Sequence, residues 1–259
     1  MTTAPPAPTT EAAAPETAVS DSAAGQSQTD VVLQGIKNMI TSGALGPGSR
    51  LPIEKDLAVS LGVSRGSLRE GVRALCIMGV LETRQGDGTY VTSLDSSLLL
   101  APMGFMVDLQ TPEHRLDLHS VRRVLEAEAA ARAALYISAE QLEAAAQVLT
   151  DIEPLVLAAD DLDHEAILDA DIAFHHIISQ SSNNSTLAAL IDALANRTSR
   201  ARLWLGLHNH GQVRNAHAEH VAILAALRSG QPDRARLMMD HHLLVVEDQL
   251  RDEAPVDSE

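Results

Sequence analysis

The stretch "DADIAFHHIIS", from Asp169 to Ser179, places titratable side chains within an apolar helical pattern. Asp171 and His175 are four residues apart, so on a helix both project from one face, about 6 Å apart along the axis. Polar groups on an apolar face are costly to bury unless something pairs with them. The spacing alone fits a metal site, a proton-transfer pair or a hydrogen bond in an ordinary core.

Two later segments, "NAHAEHVAIL" (215–224) and "ARLMMDHHLL" (235–244), each place a histidine beside apolar positions. Three imidazoles and a carboxylate from three helices form a donor set suited to a divalent ion, zinc first and nickel or manganese next. A helix turns by about 100° per residue, so His176 points away from His175, and of the adjacent His241 and His242 only one is expected to face the ion.

All eleven histidines fall at or after His114. His217 shares the helix face of His220, so we expect it beside the metal or in contact with an effector. We expect the rest on the surface or in loops, namely His114, His119, His164, His208 and His210.

The formal charge of −16 argues at first against a nucleic-acid partner, but the charge is unevenly distributed. Residues 30–92 carry seven bases and six acids, whereas residues 93–259 carry twelve bases and twenty-six acids. A non-acidic segment followed by an acidic, histidine-bearing one indicates two segregated functions.

Cysteine usage and hydropathy bear on the compartment. The single cysteine, Cys76, excludes an internal disulfide framework and fits a reducing cytoplasm. The longest apolar run, "LLLAPMGFMV" from Leu98 to Val107, is too short to span a bilayer, so no membrane partner is expected. We interpret the run as a buried connector between domains.

The chain of 259 residues is long enough for two domains, and the predicted fold is mostly α-helical. We predict a disordered tail over residues 1–28, a winged helix-turn-helix domain over 29–93, an all-α antiparallel bundle of six to seven helices over 94–252, and a second tail over 253–259. Predicted bundle helices lie near 95–106, 113–136, 139–158, 161–182, 186–206, 212–229 and 232–252.

The first domain is predicted from helix, turn, helix and hairpin in that order. Gly62 ends a short helix, Ser64 caps the next one, and "VLETRQGDGTYV" alternates around Gly86-Asp87-Gly88 as a hairpin does. In such a domain the second helix of the motif enters the DNA major groove by its N-terminal end. Ser64, Arg65, Ser67 and Arg69 sit on that end.

The segment "PGSRLPIEKDLAVSLGVSRGSLREGVRALCIMGVLETRQGDGTYV" resembles the DNA-binding domain of the GntR superfamily, whose pattern runs PG-x-x-LP-S-E-R-x-LA, VSR-x-x-VREA and G-x-G-T-x-V. The resemblance covers residues 30–92. It implies that Lys55, Arg65, Arg69, Gly86 and Gly88 contact DNA, with Arg50 as a weaker phosphate contact.

Two positions depart from that pattern. Ile53 replaces the usual Ser, so the second helix loses its capping hydroxyl. Lys55 replaces an Arg, which keeps a charge for phosphate but loses the bidentate fork that reads a guanine.

Residues 95–252 resemble the FCD-type ligand-binding domain of the FadR subfamily, on "DIAFH" (171–175), "EHVAI" (219–223) and "ARLMMDHHL" (235–243). The resemblance implies that Asp171, His175, His220 and His242 bind a metal. The stretch "VRRVLEAEAAARAA" resembles that domain's first long helix. The resemblance implies that the arginine of this helix, here Arg122, points towards an effector carboxylate, with Arg123 as the competing register. The alternative is that Arg122 forms a structural pair with a neighbouring acid.

Together these features favour a ligand-responsive transcription regulator, most simply a cytoplasmic homodimeric repressor that binds a pseudo-palindromic DNA operator and a small organic acid. A metal sensor, in which the ion itself is the effector, remains an alternative. A metalloenzyme is disfavoured because no further base, nucleophile or cofactor motif accompanies the metal-ligand pattern.

Overall fold

The structure, a computed structural model, describes residues 27–109, 112–158, 163–194 and 210–253. The N-terminal domain contains helices α1 (Gln28–Thr41), α2 (Glu54–Leu61) and α3 (Arg65–Ile77) and strands β1 (Leu81–Arg84) and β2 (Gly88–Val91). Their apolar faces meet in one core, in which Val32, Ile36 and Leu68 are almost fully buried. The predicted order of helix, turn, helix and hairpin is confirmed.

Turn residues delimit α2 and α3 where the sequence predicted. Gly62 ends α2 with a φ of 68°, in the left-handed region that favours glycine. Ser64 caps α3, since its Oγ accepts a hydrogen bond from the backbone N–H of Ser67 at 3.0 Å. Helix α2 has no side-chain cap, because Ile53 stands at its cap position.

The two strands form an antiparallel hairpin that we call the wing, residues 81–91. Leu81 pairs with Val91 at its base and Arg84 with Gly88 at its tip. Arg50 extends the pairing through an isolated bridge to Tyr90. The segment before α2 is thereby held against the wing.

Seven helices follow in the described residues: α4 (Ser96–Asp108), α5 (Pro112–Tyr136), α6 (Ala139–Leu157), α7 (His164–Gln180), α8 (Ser185–Leu194), α9 (His210–Arg228) and α10 (Pro232–Glu253). Helix α10 packs along α5, while α6, α7 and α9 close the core around the fully buried Phe174, Ile223 and Met239. The all-α domain is confirmed.

Some predicted segments lie outside the described residues. The helix predicted over 186–206 is described only as far as Leu194. Residues 1–26 and 254–259, which hold nearly all of the two predicted tails, are likewise not among them.

Helix α4 differs from the predicted buried connector. It is helical, but Leu98 near its start, Phe105 in its second half and Leu109 directly after its last residue have exposed fractions of 41%, 69% and 68%. The reason is that α4 packs against α8 on one side, where Ser96 Oγ lies 2.8 Å from Thr186 Oγ1. No helix in the part of the chain described here is long and apolar enough to cross a bilayer.

The N-terminal domain meets α4 at Gly79. This residue has a φ of 72°, and a Cβ there would lie 2.3 Å from the carbonyl oxygen of Leu98. Gly79→Ala therefore combines a strained backbone, costing about 1–2 kcal/mol, with a clash against backbone. Gly43, with a φ of 80° and open space around it, provides the matched control.

We expect Gly79→Ala to lower the free energy of unfolding by about 1–3 kcal/mol more than Gly43→Ala, the range typical of overpacking. Urea unfolding followed by circular dichroism measures the difference. If the two variants lose equal amounts of unfolding free energy, Gly79 does not lie against α4 in solution.

Candidate metal centre and candidate DNA-binding surface

Four polar side chains from three helices meet inside the C-terminal domain. Helix α7 contributes Asp171 and His175, α9 contributes His220 and α10 contributes His242. All four are buried, with Asp171 the most exposed at 8% and His175 the least at 1%. The structure thus brings together the four residues that the sequence predicted as metal ligands.

The facing atoms of these side chains occupy one small volume. His220 Nε2 is 3.3 Å from His175 Nε2 and 3.1 Å from His242 Nε2. Asp171 Oδ1 is 3.5 Å from His175 Nε2 and 3.6 Å from His220 Nε2. Ordinary N–H···O hydrogen bonds measure roughly 2.7–3.2 Å. A direct hydrogen bond between Asp171 and His175 therefore does not account for the arrangement.

Two carboxylates fix the positions of the imidazole protons. Glu126 of α5 accepts a hydrogen bond from His175 Nδ1–H, and Glu219 of α9 accepts one from His242 Nδ1–H at 2.7 Å. A neutral imidazole carries a single ring proton, so the Nε2 atom of each ring presents a lone pair.

His220 lies between those two lone pairs. Burial holds the pKa of His220 well below its usual value, and the adjacent His242 and His175 lower it further, which favours the neutral ring. A neutral ring donates at most one proton through Nε2. At least one of the two close nitrogen pairs therefore places lone pair against lone pair.

A divalent cation resolves this opposition. Zinc–nitrogen bonds of about 2.0–2.1 Å place tetrahedral donors about 3.4 Å apart, close to the four separations above. Neutral imidazoles and one carboxylate form a donor set that zinc, nickel and manganese all accept. The residues present fit such an ion.

Arg122 lies in the interior beside this cluster and is 5% exposed. Its guanidinium pairs with Glu126, the carboxylate that also accepts a hydrogen bond from His175. Arg123 faces α10 instead, where it bonds Asp240 at 2.7 Å and Glu247 at 3.1 Å. Arg122 is therefore the arginine closer to the cluster, and its contact with an effector stays a prediction.

His217 lines a small cavity beside the cluster, together with Asp171 and His220. Partial burial lowers the pKa of His217. The cavity volume of about 20 Å³ accommodates roughly one water molecule. A ligand of several non-hydrogen atoms at this point requires neighbouring side chains to move.

One histidine lies where the sequence did not predict it. His119 is buried, with its Nε2 2.9 Å from the carbonyl oxygen of Leu243, so its placement at the surface or in a loop was wrong. Burial is the main cause that lowers the pKa of His119 to about 4. The helical period of α5 turns this residue inward against α10.

Other histidines lie away from the cluster, as expected. His176 is exposed and bonds Asp192 Oδ1 at 3.1 Å, and His241 is also exposed. His114 and His164 are at the surface as well. His208 and the side chain of His210 are not among the described parts of the chain.

Sequence reasoning missed Glu126 and Glu219, which orient two of the imidazoles. A weak signal exists for each. Glu126 is an acid within the apolar stretch "VLEAEAAARAA", four residues after Arg122, and Glu219 directly precedes His220. Neither signal names its partner, because the partners lie 49 and 23 positions away along the chain.

The N-terminal end of α3 carries the predicted base-reading residues. Arg65, the first residue of the helix, is exposed. Arg69 forms a bidentate pair with Glu54, reaching Oε2 at 2.8 Å and Oε1 at 3.2 Å. Ser67 Oγ lies 2.9 Å from Ser64 Oγ and donates a hydrogen bond to a residue of α1 at 3.0 Å. Arg65 is therefore the side chain most available to a base.

The wing carries the remaining predicted contacts. Gly86 has a φ of 74° at the exposed tip, where only glycine is comfortable. Gly88 has a different role, since a Cβ there would lie 2.7 Å from Arg50 Nε. Arg50 also donates to the carbonyl oxygen of Asp87, which fixes its guanidinium over the wing. Lys55 is exposed on α2.

Comparisons with known proteins match both parts of the chain. Residues 28–91 match the family described as "Bacterial regulatory proteins, gntR family", and residues 117–244 match "FCD domain". The chain is 32% identical to the HTH-type transcriptional regulator LutR of Bacillus subtilis, over 82% of this chain and 96% of that protein.

Two further likenesses extend over most of the chain. An Escherichia coli protein named for the L-lactate dehydrogenase operon is 30% identical, over 84% of each chain. Among solved structures, Streptococcus agalactiae GntR is 27% identical with a TM-score of 0.59, covering 85% of this chain and 99% of that one.

Proposed function

Because the chain belongs to the GntR family of bacterial regulatory proteins and carries an FCD domain, we propose that it is a repressor controlled by a divalent ion and a small organic acid. A member of this family is a DNA-binding transcription regulator, not an enzyme. The finer proposal concerns what its C-terminal domain binds and how that binding changes operator affinity.

The observation that carries the proposal is the convergence of imidazole lone pairs and a carboxylate on one buried point. Asp171, His175, His220 and His242 would hold the ion, with zinc the best fit and nickel or manganese the alternatives. The ion supplies a Lewis-acidic centre that binds an effector carboxylate.

Arg122 and His217 are the proposed effector contacts. Arg122 is a buried cation next to the cluster, and His217 lines the small cavity beside Asp171. A guanidinium suits a carboxylate because it donates two parallel hydrogen bonds. We propose that the effector is a short carboxylate, and the name of the E. coli relative makes L-lactate the first candidate to test.

We further propose that the protein acts as a cytoplasmic homodimer on a pseudo-palindromic double-stranded operator. A dimer places two recognition helices about one helical turn apart on DNA. The exposed apolar side chains of the α4 region, Leu98, Phe105 and Leu109, support a second copy as the partner that covers them.

Operator release as a function of metal and carboxylate tests the proposal. The operator is first isolated from genomic fragments that the protein retains. Fluorescence anisotropy then measures binding for protein stripped by a chelator, reloaded with Zn²⁺, and reloaded with Zn²⁺ plus L-lactate or other short carboxylates. Release that requires both ion and acid supports the proposal; a protein that binds no ion contradicts it.

The small cavity favours one second candidate, a metal sensor in which the ion itself is the effector. The ion would lie among its four ligands, and the adjoining cavity of about 20 Å³ accepts roughly one water without rearrangement. In the same titration, operator release by Zn²⁺ alone, unchanged by any carboxylate, identifies the sensor.

Glu126→Gln is expected to weaken Zn²⁺ binding about 10- to 100-fold, the usual effect of removing a carboxylate that orients a histidine ligand. The glutamine amide can accept a hydrogen bond from His175, but it carries no negative charge to neutralise Arg122. Competition with a chelating dye measures the affinity. The control is Glu128→Gln, on the same helix, whose carboxylate forms a surface pair with Arg236 at 2.7 Å. Equal affinities in the two variants would contradict the role of Glu126.

A further inference from the structure

A cleft of about 390 Å³ opens in the N-terminal domain between α3, the segment before α2, and the wing. Its floor is apolar and includes Leu57, Leu68 and Val72. Its rim carries three arginines and one acid, Arg50, Arg69, Arg73 and Glu54. The rim is therefore net positive on a chain whose formal charge is −16.

The three arginines differ in what they already bind. Glu54 neutralises Arg69 through a bidentate pair, and Arg50 is held by backbone and side-chain oxygens of Asp87. Arg73 is exposed, and among the described residues no acidic side chain pairs with it. Arg73 is therefore the cation on this rim that is available to a ligand.

The position of Arg73 along α3 indicates which ligand reaches it. Arg65, Arg69 and Arg73 recur every four residues, so they form a row with steps of about 6 Å along one side of the helix. The N-terminal end of a recognition helix lies in the major groove. Its C-terminal half then rises out of the groove, where the sugar–phosphate backbone passes.

We propose that Arg73 binds a backbone phosphate of the DNA, held in the cleft between α3 and the wing. The hydroxyls of Thr83 and Thr89, hydrogen-bonded to each other at 3.4 Å, also line the cleft, and the hydroxyl that accepts in this pair has its own proton to donate to the same phosphate. The contact carries no base information, so it strengthens binding to every sequence and fixes the register of the domain on the duplex.

The salt dependence of DNA binding tests this contact directly. The full chain is titrated with a random-sequence duplex of about 30 base pairs, long enough for two half-sites one turn apart. Affinity is measured between about 50 and 200 mM salt, where each phosphate contact contributes about 0.9 to the slope of log K against log [salt]. No operator, ion or effector is needed.

Arg73→Gln is expected to lower that slope by about 0.9 per bound protomer, and to weaken binding roughly tenfold at 50 mM salt and roughly threefold at 200 mM. Arg73→Lys keeps the charge and should keep the slope. Arg228→Gln, which removes an exposed cation from the end of α9, should also leave it unchanged.

Two results would overturn the proposal. One is a wild-type slope in Arg73→Gln, which would mean that no phosphate is bound there. The other is a reduced slope in Arg73→Lys, which would mean that the side chain acts through its shape and not its charge. Circular dichroism of each variant confirms that the domain is folded before the slopes are compared.

Discussion

Replacing His220 by alanine is expected to abolish stoichiometric Zn²⁺ binding and, with it, the stabilisation that the ion confers on the protein. His220 Nε2 lies between the Nε2 atoms of His175 and His242, at 3.3 and 3.1 Å, so its loss removes the central donor. A ligand at 100 times its Kd stabilises a fold by about 2.7 kcal/mol. His220→Ala should lose this stabilisation by Zn²⁺ and should still bind DNA.

Thermal unfolding with and without Zn²⁺, together with native mass spectrometry, measures this effect. His176→Ala and His241→Ala are the matched controls, since each is an exposed histidine that adjoins a proposed ligand. Both should bind the ion and show the full stabilisation. One ion retained per protomer in His220→Ala would disprove the proposed ligand set.

Arg65→Ala is expected to abolish specific operator binding. Arg65 is the first residue of α3 and is exposed, so it is the arginine best placed to form a bidentate contact with a guanine. Such a contact contributes about 1–3 kcal/mol of discrimination. Over two half-sites of a dimer, the loss is roughly 30-fold or more in affinity.

Electrophoretic mobility shift on the operator, against a scrambled duplex of equal length, measures this loss of specificity. Sedimentation velocity should show that dimerisation is unchanged, because Arg65 is not among the exposed apolar residues of the α4 region that we propose as the dimer contact. Arg228→Ala provides a charge-matched control on α9. Specific binding that survives in Arg65→Ala would mean that the recognition helix has been placed wrongly.

Much of the N-terminal domain was predictable because local signals determine it. Ser64 caps α3 because its hydroxyl accepts a hydrogen bond from the N–H of Ser67, three residues away. Gly62 ends α2 in the left-handed conformation, which residues with a Cβ rarely adopt. These interactions span a few residues and leave a pattern in the sequence. The order of elements followed from them without tertiary information.

The C-terminal site was predictable only in part. Asp171 and His175 could be paired from their helical spacing, whereas His220 and His242 had to be added from the family resemblance. Glu126 was missed because its contact with His175 depends on how α5 packs against α7, which periodicity does not encode. Long-range pairing of polar groups is a property of the packed fold.

Two errors had the same physical origin. His119 was assigned to the surface, yet α5 turns it towards α10, where its ring bonds a backbone carbonyl. The apolar run of α4 was assigned to the interior, yet among the described residues its main packing partner is α8, and side chains such as Phe105 remain exposed. Hydropathy indicates whether a segment can be buried. The elements that pack around the segment determine whether it is buried.

The contacts of α4 connect the N-terminal domain with the helical C-terminal domain. Leu98, near the start of α4, lies against Gly79, two residues after the end of α3. Ser96 Oγ is hydrogen-bonded to Thr186 Oγ1 of α8. Helix α8 in turn contacts α7, where His176 bonds Asp192 directly beside a proposed metal ligand. A tilt of about 10° over the roughly 20 Å length of α4 displaces one end by about 3 Å. That displacement is about the length of one hydrogen bond. We therefore propose that a small rotation at the candidate metal site is enough to shift a base contact made by α3.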